Sequence, residues 1–249
     1  MSRVNLSLRD EQLRELMDDP DCDPVRLEAT LRRFHRVNRL ISGWDQVYRR
    51  RLRPLLTGLH RPARVLDLGS GGGDVVTRLA HLASRDGLQV HWTGADPDPR
   101  AHAAAQGAQE QSTQNQRTQE QRAEESAQVR FLCADADALL RQGESFDVVI
   151  SNHVLHHLDA PGLLDFSHAS RQLCTGTVLH SDIARSRLAY SLYAVGIIPL
   201  APGTFLRTDG LRSIRRSYRR EELSAALGAE WTVTSPAAFR LIAEAPGLG

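Results

Sequence analysis

Asp67, Gly69, Gly71 and Gly73 stand at alternate positions in the run Val65-Leu66-Asp67-Leu68-Gly69-Ser70-Gly71-Gly72-Gly73-Asp74. A β-branched and leucine-rich strand ends in an acidic residue, breaks into glycines and reopens as the helical run Val75-Val76-Thr77-Arg78-Leu79-Ala80. Strand, tight turn and helix in that order form the ligand-cradling corner of a doubly wound α/β sheet. Glycine serves there twice. The chain must turn sharply with φ > 0, and a ligand must approach the backbone with no Cβ in the way. A dinucleotide-binding turn needs glycines at motif positions one, three and six. Counted from Gly69, the sixth position is Asp74, a carboxylate that repels a pyrophosphate where a helix N-terminus should attract one.

Further carboxylates follow at the ends of later strand-like runs, the edge where open α/β sheets bind their ligands. Asp96, followed by Pro97, closes the second run, and a carboxylate there can accept bonds from both hydroxyls of a ribose. Asp135-Ala136 follows the third run, with Asp137 as an alternative for the same role. Each aspartate taken alone serves equally well as a turn or helix-cap residue. The run Phe146-Asp147-Val148-Val149-Ile150-Ser151-Asn152-His153-Val154-Leu155-His156-His157-Leu158 adds three histidines after a fourth strand. Histidine, with its near-neutral pKa, suits a general base toward a phenol or hydroxyl. His156 and His157 point about 100° apart on a helix, whereas His153 and His156 share a helical face. These two are the catalytic candidates.

The acidic-x-Gly-x-Gly-x-Gly pattern filled by Asp67, Gly69, Gly71 and Gly73 resembles that of the class I S-adenosylmethionine (SAM) methyltransferases. SAM has no phosphate and its methionine end carries an ammonium, so an acidic strand end is sensible electrostatics. The resemblance implies SAM as cofactor, held by Asp67, Gly69, Ser70, Gly71, Gly73, Asp96 and Pro97. It also implies adenine recognition by Asp135 and Ala136, and Ser151 and Asn152 lining the methionine end. The Leu-His-His-Leu-like entry after strand four is similar to the same family's fourth-strand motif. Many enzymes of this fold need only proximity and orientation, because SAM is already activated. The pattern Asp182-Ile183-Ala184-Arg185-Ser186 with Asp209-Gly210-Leu211-Arg212-Ser213-Ile214-Arg215-Arg216-Ser217-Tyr218 is similar to that of small-molecule methyltransferases of bacterial polyketide and phenolic-lipid pathways. The resemblance covers roughly residues 62–245, and its departures are the extra Gly72 and a Gln-rich insertion.

The elements that position these residues read as an alternating series. Strands are expected at Arg64–Leu68, Gln89–Gly94, Val129–Ala134, Phe146–Ser151 and Thr177–Ser181, with the first helix over Asp74–Ser84. The runs Trp231–Thr234 and Phe239–Ala243 are joined so tightly that they must form an antiparallel hairpin. The expected fold is α/β: a Rossmann-like, doubly wound, seven-stranded, mostly parallel sheet with an antiparallel last strand, plus N-terminal helices. Residues 1–60 read as a helical cap. It has an apolar stripe through Leu6, Leu8, Leu13, Leu16 and Met17, a break at Pro20 to Pro24, and a second stripe through Leu27, Leu31, Phe34, Val37, Leu40 and Ile41. Residues 61–249 form the methyltransferase domain. Within it, 103–128 is a polar Gln/Glu/Ala/Arg insertion that can bury little, and 183–220 is an acceptor-side lid. The apolar stretch Leu188 to Ala201 either walls a pocket for an aromatic or apolar acceptor or packs as an ordinary helix. The arginines around it either clamp an acidic or phenolate acceptor or form a solvated face.

The 249 residues and formal charge of +1 suit one large α/β domain with additions. Cys22, Cys133 and Cys174 show neither a disulfide nor a metal spacing, so no metal site is expected. All 31 basic residues are arginine, a base-composition signature of a GC-rich bacterial genome that also rules out lysine Schiff-base chemistry. No apolar leader or bilayer-length apolar run is present, which makes the cytoplasm the expected location. The expected partner is a small-molecule methyl acceptor, most simply one methylated on oxygen. The alternatives are a nucleic-acid methyltransferase, suggested by the arginine clusters at 49–53 and 212–220, and a non-catalytic SAM-fold module. Against nucleic acid stand the near-zero net charge and the sequence Ser151-Asn152-His153-Val154, where amino-methylating enzymes carry an Asn/Asp-Pro-Pro-aromatic run.

Overall fold

The computed structural model describes residues 4–115 and 129–249. Its strands are β1 (Ala63–Leu68), β2 (Val90–Asp96), β3 (Val129–Cys133), β4 (Phe146–Asn152), β5 (Cys174–Ile183), β6 (Thr232–Thr234) and β7 (Arg240–Pro246). They form one sheet in the order β3-β2-β1-β4-β5-β7-β6. β1 pairs in parallel with β2 and β4, β2 pairs in parallel with β3, and β6 and β7 pair antiparallel. The helices are α1 (Pro24–Ile41), α2 (Trp44–Val47), α3 (Arg53–Thr57), α4 (Asp74–Arg85), α5 (Pro99–Asn115), α6 (Ala136–Arg141), α7 (Ala160–Gln172), α8 (Arg187–Gly196), α9 (Leu206–Arg216) and α10 (Arg220–Leu227). This is the expected Rossmann-like sheet. Winding runs outward from β1 through β2 to β3, then restarts at β4 on the other side of β1, so the topological switch point lies between β1 and β4.

The central strands read as continuous apolar runs because both faces are covered. Val65, Leu66, Val149 and Ile150 are fully buried, as are Trp92 on β2 and Phe146 at the start of β4. The β1–β2 register sets Asp67 beside Gly94, and the β2–β3 register sets Asp96 beside Cys133. Both aspartates therefore reach the carboxyl edge of the sheet.

The chain resolves into two compact units: Met1–Arg33, His153–Ser167 and His180–Glu244 in one, and Phe34–Asn152, His168–Leu179 and Ala245–Gly249 in the other. Residues 34–60 thus cluster with the glycine loop, and the division does not follow residue 60.

The sequence expectation of helix throughout 1–60 holds only from Pro24 onward. Residues 4–23 form turns and extended chain. Their backbone groups find tertiary partners in place of helical ones, which satisfies the requirement that buried polar groups be paired. Arg185 Nε and Arg219 Nη2 donate to the Leu6 carbonyl, Arg212 Nη1 donates to the Arg14 carbonyl, and Asp209 accepts from the Leu16 and Met17 amides. The arginines of 207–220 read from sequence as an acceptor clamp or a solvated face. Several instead pin backbone. The polar insertion is helical through Asn115 as part of α5, and its remainder lies outside the described residues. On α8 and the turn after it, Leu188, Leu192, Val195 and Ile198 are exposed rather than packed.

Candidate functional site

The glycine loop lies wholly within the second unit. Gly69, Gly71 and Gly73 have φ of 77°, 54° and 75°, so each of the three motif glycines is in the left-handed region that a Cβ disfavours. Gly72 is not among the positive-φ residues, which makes the extra glycine conformationally unremarkable. The glycines nonetheless differ in what surrounds them. A Cβ on Gly73 would meet the Phe131 ring at 2.5 Å, whereas a Cβ on Gly71 or Gly72 would meet nothing within 4 Å. The loop is thus closed by an aromatic ring on its β3 side and open above Gly71. Ser70 is buried, and its amide and that of Gly69 both donate to the Ala95 carbonyl.

Asp96 holds this loop in shape. Its Oδ2 accepts from the Gly71 amide at 2.8 Å and its Oδ1 from the Asp98 amide at 2.9 Å. Burial raises its pKa, and these two backbone bonds oppose the rise. Each carboxylate oxygen has two acceptor positions, so Asp96 retains capacity for a ligand's hydroxyls. Pro97 is exposed beside it. Asp67 is 1% exposed and its Oδ1 has no hydrogen-bond partner. Burial first, then the like charges of Asp74 and Asp96, push its pKa well above the ordinary carboxylate value. A buried, orphaned acceptor oxygen beside two like charges calls for a cationic ligand nearby. SAM carries an ammonium, a sulfonium and a ribose with two hydroxyls, a chemistry that matches a buried carboxylate at Asp67, spare acceptor positions on Asp96 and a loop with nothing within 4 Å of a Cβ placed on Gly71. The residues present fit the cofactor.

Asp135 is exposed and caps α6, its Oδ1 accepting from the Ala138 amide at 2.8 Å. The helix-cap role open to it in sequence is therefore in use, and it leaves the second carboxylate oxygen for other work. Ala136 opens that helix. Ser151 is fully buried at the end of β4. Asn152 accepts on Oδ1 from the Trp44 indole Nε1–H at 3.0 Å, which turns its amide NH2 away from the indole.

Trp44 and Asn38 were not singled out in the sequence. Trp44 is 1% exposed, and Asn38 Nδ2 donates to Asp74 Oδ2 at 2.9 Å. With Arg78 bridging to Asp45 and Tyr48 donating to Asp86, these residues fasten the helical segment 34–57 to the first strand–helix unit. Asp74, which disqualified a dinucleotide, thus has a structural partner on α1. A buried indole whose N–H needs an acceptor was the one available sequence signal for this docking.

The histidines lie in the first unit, and their surroundings argue against the general-base role expected for His153 and His156. His156 is 1% exposed. Its Nδ1 meets Asp182 Oδ1 at 2.7 Å and its Nε2 faces Glu15 Oε1 at 3.3 Å, while its amide donates to Asp182 Oδ2. Burial works against its charge, yet the two carboxylates outweigh burial and raise its pKa to about 9. A protonated imidazole has no lone pair to offer as a base. His153 behaves oppositely: burial, then the Arg240 guanidinium, hold its pKa well below the ordinary value. Its Nε2 is hydrogen-bonded by Arg240 Nη1. Because a guanidinium only donates, Nε2 is the acceptor and Nδ1 carries the proton. The neutral ring therefore presents an N–H donor. His153 has φ of 63°, a left-handed conformation uncommon for a side-chain-bearing residue, and its amide is tied to the Ser181 carbonyl at 2.9 Å. Arg216 donates to the carbonyls of His156 and His157, and Arg9 to those of His156 and Leu158, fixing this turn from a third direction.

Comparison with known proteins bears on the whole arrangement. A protein-family model described as "Methyltransferase domain" matches residues 38–237. The ubiquinone biosynthesis O-methyltransferase of Roseobacter denitrificans (strain ATCC 33942 / OCh 114) is 30% identical over 135 residues, 53% of this chain and 46% of that protein. The match thus spans less than half of that relative's length. Among solved structures, the fold is similar to magnesium protoporphyrin IX methyltransferase from Synechocystis PCC 6803 with bound SAM. The TM-score is 0.50 and the identity 18%, over 92% of this chain and 100% of that one. It is also similar to a plantazolicin methyltransferase in complex with a triazolic desmethylPZN analog and S-adenosylhomocysteine (SAH). There the TM-score is 0.54 and the identity 16%, over 82% of this chain and 70% of that one. At these identities the structural likeness is one of fold. With the acidic-x-Gly-x-Gly-x-Gly loop in place at the switch point and the family match spanning most of the sequence, the chain belongs to the methyltransferase domain family, as a class I SAM-dependent methyltransferase.

Proposed function

We propose that this chain transfers the methyl group of SAM to an oxygen of a small aromatic or apolar acceptor. The observation that carries the cofactor half is the buried Asp67 carboxylate, its Oδ1 without a hydrogen-bond partner, beside an open, left-handed glycine loop that Asp96 holds in place. The 30% identity to an O-methyltransferase supports oxygen as the acceptor atom. Bound SAM supplies an already activated methyl on a sulfonium. Asp67 contributes negative charge toward its cationic methionine end, and Asp96 accepts from its ribose hydroxyls. Asp135 and Ala136 take the adenine, through a carboxylate oxygen and a backbone amide. Ser151 and Asn152 line the methionine end, with Asn152 oriented by Trp44.

Within the first unit, His153 is a neutral hydrogen-bond donor rather than a base, since Arg240 occupies its only lone pair. His156 holds its proton and keeps the turn after β4 in place. The acceptor oxygen reacts as its anion, its proton given up to water, and gains the methyl as the sulfur–methyl bond breaks and SAH leaves, so that transfer rests on proximity and alignment rather than on a histidine base. The test is incubation with isotope-labelled SAM and a panel of phenols, hydroxylated quinones, aromatic amines and RNA, followed by mass-spectrometric location of the label. Label on a phenolic or enolic oxygen supports the reading. Label on RNA alone, or on carbon or nitrogen alone, refutes it.

A further inference from the structure

Glu15, His156 and His157 converge within the first unit in a manner that the methyl-transfer reading does not use. His156 Nε2 lies 3.3 Å from Glu15 Oε1, and His157 Nε2 lies 3.7 Å from the same oxygen. The three ligand atoms all lie within 4.8 Å of one another, and the two imidazole rings lean together with centroids 4.3 Å apart. Two ligands at about 2.0–2.1 Å from a tetrahedral metal ion are separated by roughly 3.4 Å. The two carboxylate–imidazole separations already bracket that value, and the pair of nitrogens, within 4.8 Å of each other, needs a contraction of at most about 1.4 Å to meet it.

The opposite nitrogens strengthen the case. His156 Nδ1 is bonded to Asp182 at 2.7 Å, and His157 Nδ1 to Asp18 at 3.0 Å. A metal-ligating histidine almost always hands its other ring N–H to a carboxylate or carbonyl, which fixes the tautomer and aims the free nitrogen at the ion. Here both histidines have that outer carboxylate, and both remaining nitrogens aim at one glutamate oxygen. Glu15 is positioned in turn by Ser213, whose Oγ–H donates to the same Oε1 at 2.6 Å. The His157 side chain is 29% exposed, against 2% and 5% for His156 and Glu15, so an ion has a path in from its side.

We infer that Glu15, His156 and His157 form a site for a divalent transition-metal ion, zinc foremost, with Asp182 and Asp18 as outer carboxylates. Two imidazoles and one carboxylate are a donor set that zinc accepts while keeping a fourth position open. The ion would replace the proton that His156 and Glu15 now share, and would tie the irregular N-terminal segment to the turn after β4. This inference is independent of the acceptor's identity.

The test uses the full chain dialysed against chelator. Cobalt(II) is added as a spectroscopic probe, then zinc is titrated against a chromophoric chelator. The expected result is one equivalent of cobalt giving the intense visible bands of a tetrahedral site, displaced by one equivalent of zinc. His157→Ala, the least buried ligand change, and Glu15→Gln, which keeps the shape and the Ser213 bond, should each abolish the bands while retaining the wild-type far-ultraviolet circular dichroism. Asp18→Ala should weaken zinc binding about 10- to 100-fold, and His168→Ala, an exposed histidine elsewhere, should change nothing. Zinc affinity that is the same in wild type and His157→Ala, or that falls equally in His168→Ala, overturns the site.

Discussion

The openness above Gly71 predicts that adding one methyl group there separates folding from binding. Gly71 has φ of 54° and Gly87, in the turn after α4, has φ of 70°; a Cβ on either meets nothing within 4 Å. Alanine at each position therefore bears the same left-handed penalty of about 1–2 kcal/mol. A gain of about 0.4–1 kcal/mol from restricting the unfolded chain offsets part of it. Urea unfolding of Gly71→Ala and Gly87→Ala should thus give losses of about 1 kcal/mol each, alike to within experimental scatter. Binding should not be alike. If the cofactor lies against the Gly71 backbone, the new methyl overpacks that contact at a cost of about 1–3 kcal/mol. That corresponds to SAH affinity lower by roughly fivefold to 150-fold in calorimetric titration. Gly87→Ala should bind as the wild type does. Equal SAH affinity in the two variants would refute the cradle, because the open space would then have no ligand in it.

Three more outcomes follow from the same geometry. Asp67→Asn removes a buried charge but keeps its shape: SAH affinity should fall at least tenfold. Because the folded-state pKa is raised, the wild type loses stability as pH climbs above the ordinary carboxylate range, and Asp67→Asn should lose less. Equal pH slopes in chemical denaturation would contradict this. Asp209, 3% exposed and raised to about 6 by burial, contributes stability that is fully present below about pH 4 and lost as pH rises through 6. The loss is at most about 3 kcal/mol, and Asp209→Asn should flatten that part of the stability–pH curve even though one backbone N–H loses its acceptor. Trp44→Phe removes the indole donor from Asn152 and should cost about 1–3 kcal/mol in urea unfolding, whereas Trp231→Phe, which lacks that role, should leave SAH affinity unchanged when Trp44→Phe lowers it.

What was legible in the sequence was local. The strand–glycine–helix corner follows from neighbouring residues, and Gly69, Gly71 and Gly73 all have the positive φ that their spacing implies. The central strands were legible for the same reason: continuous apolar runs buried on both faces leave little choice of register. The N-terminal segment was not. Leu6, Leu13 and Leu16 share a helical spacing, but the carbonyls of Leu6 and Arg14 are claimed by arginines and the amide of Leu16 by an aspartate far along the chain, and no local pattern announces a tertiary partner. The surroundings of the histidines were hidden for a related reason. Residue type and spacing make His153 and His156 look like bases, while Arg240, Asp182 and Glu15 decide which nitrogen holds a proton. Glu15 in particular has no motif around it, so neither its pairing with His156 nor its convergence with His157 could be read before the fold brought them together.

The central claim is that the loop between β1 and α4 holds SAM rather than a dinucleotide. Calorimetric titration of the purified chain with SAH and, separately, with a nicotinamide dinucleotide tests it most directly. The account predicts one-to-one SAH binding, weakened at least tenfold by Asp96→Ala, and no heat from the dinucleotide. Dinucleotide binding in place of SAH, or SAH binding untouched by Asp96→Ala, would contradict it.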